Sequence, residues 1–478
     1  MQHDMTTHPL YLNGEFVTTD SALDVINPAT GEAFARVCTV PRYRVAQAVR
    51  DAHAAFLSWR QSNCRARADL LLKLAAEVER RKDDIARAIT LENGKPLVQS
   101  YAETAMTADH LRWFGEEARR AYGRIIPNNV DGKRHLVVKT PLGVVGAISP
   151  WNFPLVLAVR KVAPALAAGC TVVLKPASAT PVSCALFAEC VHAVGLPKGV
   201  FQLVGGPASE IGAEFLENPR VRKITFTGST EVGRKLIEGA AAQVKPLSLE
   251  LGGCAPLIVF DDADLDRAVE CTLIAKFRNT GQTCIAANRI YAQRGISEAF
   301  VAKLAARVAA MKVGDGLETG VDIGPLINAA GLKSALGQIE DAVRRGARLV
   351  CGGSRVERGR GHFLAPTVLA DVPDTSACMV EETFAPIAPV SEFDGEAEVI
   401  SRANATPFGL CAYAYTRDTG RVFRLAEQLE AGMIAINDAV PTASHCPFGG
   451  VKQSGWGREL GSEGLDAFLD TKHVSLGI

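Results

Sequence analysis

Between Val144 and Gly252 five short apolar runs are separated by four longer segments of helical character. The runs are VVGAIS, TVVLKP, GVFQLV, VRKITF and PLSLEL, and between them lie FPLVLAVRKVAPALAAG, PVSCALFAECVHAVG, ASEIGAEFLENP and TEVGRKLIEGAAA. Runs rich in Val and Ile that alternate with helices build βαβ units, whose strands pair in parallel. This alternation constrains the fold more than any other feature. It predicts an α/β, Rossmann-like unit, the usual setting for a nucleotide at the strand C-termini.

The rest of the chain is organised around that block. Ala66 to Glu92 reads as one long amphipathic helix and Glu103 to Ala121 as another, packed against the same unit. Past Gly253, DDADLDRAVECTLIAKF and SEAFVAKLAARVAAM are helical and NRIYAQ is strand-like, so a second α/β unit begins there, leaving a cleft between the two. RHLVVKTP and DTKHVSLGI are strand-like pieces with no local partner, which predicts sheet edges used between subunits.

Bulk properties exclude more than they identify. Lys plus Arg and Asp plus Glu each number 52, so no global field favours nucleic acid or an anionic membrane. The twelve cysteines are scattered singly without a CxxC pair, which predicts reduced thiols, no structural metal and a cytoplasmic setting. The opening MQHDMTTHPLYLNGEF lacks a basic segment followed by an apolar core, and no run is long and apolar enough to span a bilayer.

Three stretches can carry chemistry. In KFRNTGQTCIAANR, Cys284 ends a polar, Gly-containing turn near cations, a setting expected to be partly exposed and to favour thiolate. PLSLELGG ends a strand on Glu250, placing a carboxylate where a sheet opens into a cleft. SPWNFP sets Asn152 in a turn before a helix beginning at Pro154, where its amide can donate to an oxyanion or tie the turn. No G-x-G-x-x-G or Walker A sequence is present, but ITFTGSTEVG runs a strand into Gly228 and Ser229 at a helix N-terminus, which suits a pyrophosphate.

Taken together, PWNFP, LKPAS, FTGSTEVG, LELGG, GQTC, EETFAP and PFGGVKQSGWGRE resemble, in order and spacing, the aldehyde dehydrogenase superfamily over nearly the whole chain. VRKITFTGSTEVGRKL, IVFDDADLDRAVE and KFRNTGQTC are most similar to its succinate-semialdehyde dehydrogenase branch. The resemblance implies Cys284 as nucleophile, Glu250 as general base, and Asn152 with the Cys284 N–H as oxyanion donors. It implies NADP or NAD contacts at Ser149, Trp151, Lys175, Ser178, Gly228, Ser229, Leu251, Glu382 and Phe384. Arg160, Arg278, Thr442 and Ala443 match substrate positions, the two arginines gripping a distal carboxylate. Residues 1–122 and 142–251 are then expected to hold the cofactor and 252–446 to form the catalytic domain. A small β oligomerisation element and C-terminal segment fall at 123–141 and 447–478, in a homo-oligomer built as a dimer of dimers.

Four departures from the family pattern bear on the transfer. Ala385 stands where Gly is common, which predicts a restricted loop around Glu382. Ala286 stands where some relatives carry a second cysteine, so that redox switch is expected to be absent. AVPTASHCPF replaces the usual ISS pattern with Pro441, Thr442 and Ala443, leaving glutarate semialdehyde and sulfolactaldehyde beside succinate semialdehyde as substrates. Ser178 replaces a glutamate that binds ribose hydroxyls in many NAD-preferring relatives, which predicts that NADP is accepted. CoA-acylating oxidation is disfavoured by Glu250, and a non-catalytic scaffold by the intact trio of Cys284, Glu250 and Asn152.

Overall fold

The computed structural model describes residues 5–478. The five apolar runs form the strands Val144–Ile148, Thr171–Lys175, Phe201–Leu203, Val221–Thr227 and Leu247–Glu250. All five are parallel neighbours, in the order Leu247–Glu250, Val221–Thr227, Val144–Ile148, Thr171–Lys175, Phe201–Leu203. Antiparallel edges complete an eight-stranded sheet, with Gly455–Trp456 on one side and Leu10–Leu12 and Glu15–Val17 on the other. Helices cover both faces of the parallel part, which is why strands such as Val144–Ile148 and Thr171–Lys175 are buried nearly throughout. The helix Pro154–Ala168 is buried along its whole length. Pro154 sits in its first turn, where a missing N–H costs nothing, and Gly169 ends it at φ 96.

A second, seven-stranded sheet takes the order Arg348–Cys351, Thr367–Ala370, Ile387–Phe393, Ala287–Gln293, Ala255–Val259, Cys411–Tyr415, Met433–Ile436. Its strands are parallel apart from the Arg348–Cys351 edge. The two sheets share one apolar core. Val145, Leu174 and Leu155 from the first side belong to the same buried cluster as Leu257, Phe277 and Ile290 from the second. Among the described residues no helix is long and apolar enough to cross a membrane.

Two expectations are corrected. The single helix foreseen over 66–92 is two, Cys64–Arg80 and Lys82–Asn93. Arg81 breaks the run at φ −99 and ψ 16, its guanidinium tied to Glu77 and Glu189, and Asp83 and Asp84 favour a fresh helix start through the helix dipole. RHLVVKTP and DTKHVSLGI are not without a partner inside the chain. Lys133–Pro141 pairs antiparallel with Leu469–Gly477 over its whole length, and Arg124–Ile126 adds a third strand. Local reading misses this because one segment lies in the first third of the chain and the other at its end.

Candidate active site

The parallel strands of the first sheet deliver their C-terminal residues to one rim. Glu250 is the last residue of its strand and pairs across to Gly455. Gly228 and Ser229 follow Thr227 on the neighbouring strand, and Ser229 caps the helix Thr230–Ala241 through its Oγ. Asn152 lies in the turn between Ile148 and Pro154, and Lys175 ends the next strand along. The thiol comes from the other sheet. Cys284 sits between the helix Leu265–Phe277 and the strand Ala287–Gln293.

The turn leading to Cys284 is held in an unusual backbone shape. Asn279, Thr280 and Gly281 are consecutive left-handed residues at φ 52, 59 and 73, costly for the β-branched Thr280. Side chains enforce it. Asn279 N donates to Gln99 Oε1 at 2.8 Å, Thr280 Oγ1 to Gly324 O at 3.2 Å, and the Gln282 amide bridges Asn279 O and Ile327 N. Only glycine fits at 281, since a Cβ there would stand 2.2 Å from Ala385 O. The loop of Glu382 therefore rests directly on the loop of Cys284. Ala385 itself stays out of the left-handed region, so the restriction expected from replacing glycine does not arise.

Two cavities meet at Cys284. One, of about 180 Å³, is bordered by Trp151, Asn152, Gly228, Ser229, Leu251, Glu382 and Phe384 as well as Cys284. Trp151 and Phe384 meet edge to face at 5.4 Å. The other, narrower and apolar, is bordered by Phe153, Leu157, Arg160, Arg278, Thr442 and Phe448, again with Cys284. Five foreseen residues border neither; one is Glu250, buried at the end of its strand. Lys175 and Ser178 border a separate cavity beside Gly205 and Gly206, with Lys175 Nζ 3.4 Å from Ser178 Oγ. Ser149 is buried with its N–H on Lys175 O, and Ala443 is half-buried in the loop that carries Thr442.

The first cavity fits the nicotinamide and phosphate end of a dinucleotide. Its floor is glycine backbone at Gly228 and Gly252, where a Cβ on Gly252 would come within 3.0 Å of the Glu382 carboxylate. A helix N-terminus opens into it at Ser229, and free backbone N–H groups there suit a phosphate.

Burial dominates the electrostatics. It pushes the Cys284 thiol up to about 12, helped by the Glu382 and Glu250 carboxylates and opposed by Arg160 and Arg278. Cys284 is half-buried, as the expectation of partial exposure has it, but the turn does not favour thiolate: the cations are present, and desolvation outweighs them. Glu250 is raised well above the usual carboxylate range by burial and then by Glu459, and its Oε2 has no hydrogen-bond partner among the described residues. Burial also raises Glu382 to about 7, although Oε1 accepts the Gly253 N–H at 3.0 Å.

Arg160 and Arg278 differ from the other arginines around them. Among the described residues neither meets a carboxylate, and Arg160 Nε is buried without a partner. Each lies over an aromatic ring, Arg160 at 4.4 Å from Phe448 and Arg278 at 5.4 Å from Phe153. Lys161, beside Arg160 in the same helix, pairs with Glu459 and Thr227. One of the two adjacent cations is compensated, and the other faces the cavity uncompensated.

Sequence reasoning missed the residues that brace these groups: Asn93, Lys95, Gln99, Glu103, Asn279, Gln282 and Glu459. Lys161 carried a signal, as a charge inside an apolar helix. Lys95, Gln99 and Glu103 read locally as an ordinary helix start, and nothing nearby in sequence indicates that Lys95 and Glu103 are buried.

Two sheets whose rims converge on a thiol between a glycine-floored cavity and an arginine-lined one define an α/β dehydrogenase. The chain belongs to the Aldehyde dehydrogenase family, whose sequence profile matches residues 16–474. It is an NAD(P)-dependent aldehyde dehydrogenase. It is 49% identical to a glutarate-semialdehyde dehydrogenase of Pseudomonas aeruginosa, over 98% of this chain and 97% of that one. Against the NADP(+) succinate-semialdehyde dehydrogenase of Escherichia coli it is 47% identical, over 98% and 97% of the respective chains. The crystal structure of an E. coli NADP-dependent enzyme, 46% identical, superposes with a TM-score of 0.97 over 99% of this chain and 98% of its own.

Proposed function

We propose that the enzyme oxidises a short aldehyde bearing a distal anion, with succinate semialdehyde, giving succinate, as first choice. The observation that carries this reading is the pair of uncompensated guanidinium groups, Arg160 and Arg278, on the apolar cavity that ends at Cys284. A guanidinium fork suits carboxylate or sulfonate oxygens, and apolar walls fit the methylenes between. Thr442 at the same cavity, in place of the serine pattern of relatives, and the similarity to a glutarate-semialdehyde dehydrogenase support glutarate semialdehyde or a sulfonated aldehyde as the second reading.

The proposed chemistry uses this chain's own groups in order. Cys284 Sγ loses its proton and attacks the aldehyde carbon. The oxyanion that forms is met by the second amide hydrogen of Asn152, whose first donates to Gln282 O at 3.1 Å. It is also met by the Cys284 N–H, which has no acceptor among the described residues. A bound nicotinamide would supply the acceptor for the hydride that leaves the substrate carbon. Trp151, Leu251, Glu382 and Phe384 hold the nicotinamide end, Gly228 and Ser229 the phosphates, and Lys175 and Ser178 the adenosine end, with Ser149 fixing Lys175 through its carbonyl. Glu250 then takes a proton from the water that hydrolyses the Cys284 thioester. Residues 1–122 and 142–251 are assigned to cofactor binding, 252–446 to catalysis and the remainder to assembly, in a cytoplasmic protein.

The test compares kcat/KM for succinate semialdehyde and for butyraldehyde, its uncharged match in length. Charge-assisted hydrogen bonds are worth about 1.5 to 3 kcal/mol, so Arg160→Ala or Arg278→Ala should cost roughly ten- to a hundredfold on the anionic aldehyde and far less on the neutral one. Equal losses on both would mean that the arginines hold structure rather than substrate.

A further inference from the structure

Lys95 and Glu103 form an ion pair, Nζ to Oε2 at 2.6 Å, with both side chains at 0% exposure. Desolvating two charges this completely offsets most of their attraction, so such a pair adds little stability over well-packed apolar residues. What it contributes here is geometry, because every further contact of the pair is made to one turn of the active site. Lys95 Nζ donates to Asn152 O at 2.7 Å and lies 3.8 Å from the centre of the Phe153 ring. The other oxygen of Glu103, Oε1, accepts the N–H groups of Leu155 at 3.0 Å and Val156 at 3.3 Å, the first turn of the helix that follows. The pair therefore grips the Asn152 turn on both sides.

The same carbonyl is shared with the Cys284 loop. Asn279 Nδ2 donates to Asn152 O at 2.8 Å and to Gln282 O at 3.1 Å, and Asn152 Nδ2 donates to that Gln282 O as well. Lys95 and Asn279 thus converge on one oxygen from the two halves of the site. The amide of Asn152 has its direction set by Gln282 O, which Asn279 ties to the carbonyl of Asn152.

We infer that Lys95 and Glu103 are positioning residues for the oxyanion: their buried pair sets the Asn152 amide against the Cys284 loop without touching substrate. This rests on the reading of Asn152 as oxyanion donor. It separates two properties that a mere structural role would move together, the reactivity of the thiol and the stabilisation of the tetrahedral oxyanion.

The experiment uses the full-length enzyme with Lys95→Met, Glu103→Gln and Asn152→Ala. Three rates are measured: alkylation of Cys284 by iodoacetamide, which forms no oxyanion; cofactor-free hydrolysis of p-nitrophenyl acetate, which does; and aldehyde oxidation, resolved into kcat and KM. Removing or misplacing an oxyanion donor costs about tenfold to a hundredfold or more, so both kcat values should fall by about that much in Lys95→Met and Glu103→Gln. Alkylation and KM should stay within about twofold, and adding Lys95→Met to Asn152→Ala should cost little more, since both act on one group. If Lys95→Met does not fold, Glu103→Gln carries the same expectation alone, because glutamine keeps an acceptor for Leu155 and Val156. Unchanged kcat values, or alkylation falling in step with them, would overturn the inference. If Asn152→Ala itself leaves ester hydrolysis intact, the oxyanion reading falls first; if it slows hydrolysis and the Lys95 and Glu103 variants do not, only the positioning role is lost.

Discussion

Burial pushes both proposed reacting groups toward their protonated forms, Cys284 to about 12 and Glu250 well above the usual carboxylate range. The reactive forms are the thiolate and the carboxylate, which carry one proton fewer. Raising the pH therefore populates both, and kcat/KM should climb from pH 6 to pH 9; a profile already flat at pH 6 would contradict the assignment. The roles separate in time. Cys284→Ala should abolish turnover, whereas Glu250→Gln should release one burst of reduced cofactor and then stall at the thioester, as stopped-flow absorbance would show. Steady turnover of the Glu250 variant at the wild-type rate would remove it from that role. At this scale the sequence was partly legible. Glu250, Asn152 and Cys284 stand beside glycine or proline that mark a strand end or a turn, and such breaks are visible locally. Lys95, Glu103 and Glu459 owe their surroundings to residues far away in the chain, so no window around them carries a signal.

Among the elements, the parallel strands were the most legible, because a strand buried on both faces must be apolar throughout. The helix boundary at Arg81 was not, since the break depends on ion pairs to Glu77 and the distant Glu189. The strand Thr171–Lys175 carries a consequence for cofactor choice. It ends on Lys175, which burial lowers to about 8, next to the exposed Ser178. A serine there leaves no carboxylate to repel a 2′-phosphate, so NADP should be used well, and Ser178→Glu should shift kcat/KM toward NAD by about tenfold or more, the size of one lost charge-assisted contact. Lys175 is charged below about pH 8 and loses its proton above it. The advantage of NADP over NAD should therefore shrink between pH 7 and pH 9, and a ratio independent of pH would show that Lys175 does not meet the phosphate.

For the molecule as a whole, the three-stranded sheet of Arg124–Ile126, Lys133–Pro141 and Leu469–Gly477 leaves Ile125, Leu476 and Ile478 exposed, and Leu469–Gly477 is an edge strand with no neighbour on its outer side. A long edge of this kind invites pairing with another chain. A homo-oligomer is the expected state, and sedimentation as a monomer at micromolar concentration would refute it. The division of the reacting groups has its own result. The proposed nucleophile rides on the second sheet, while the proposed base and oxyanion amide ride on the first. A slip between the sheets too small to melt either would misalign sulfur, carboxylate and amide together. The enzyme is built like a two-part key: worn at the joint, it stops turning while both pieces are still whole.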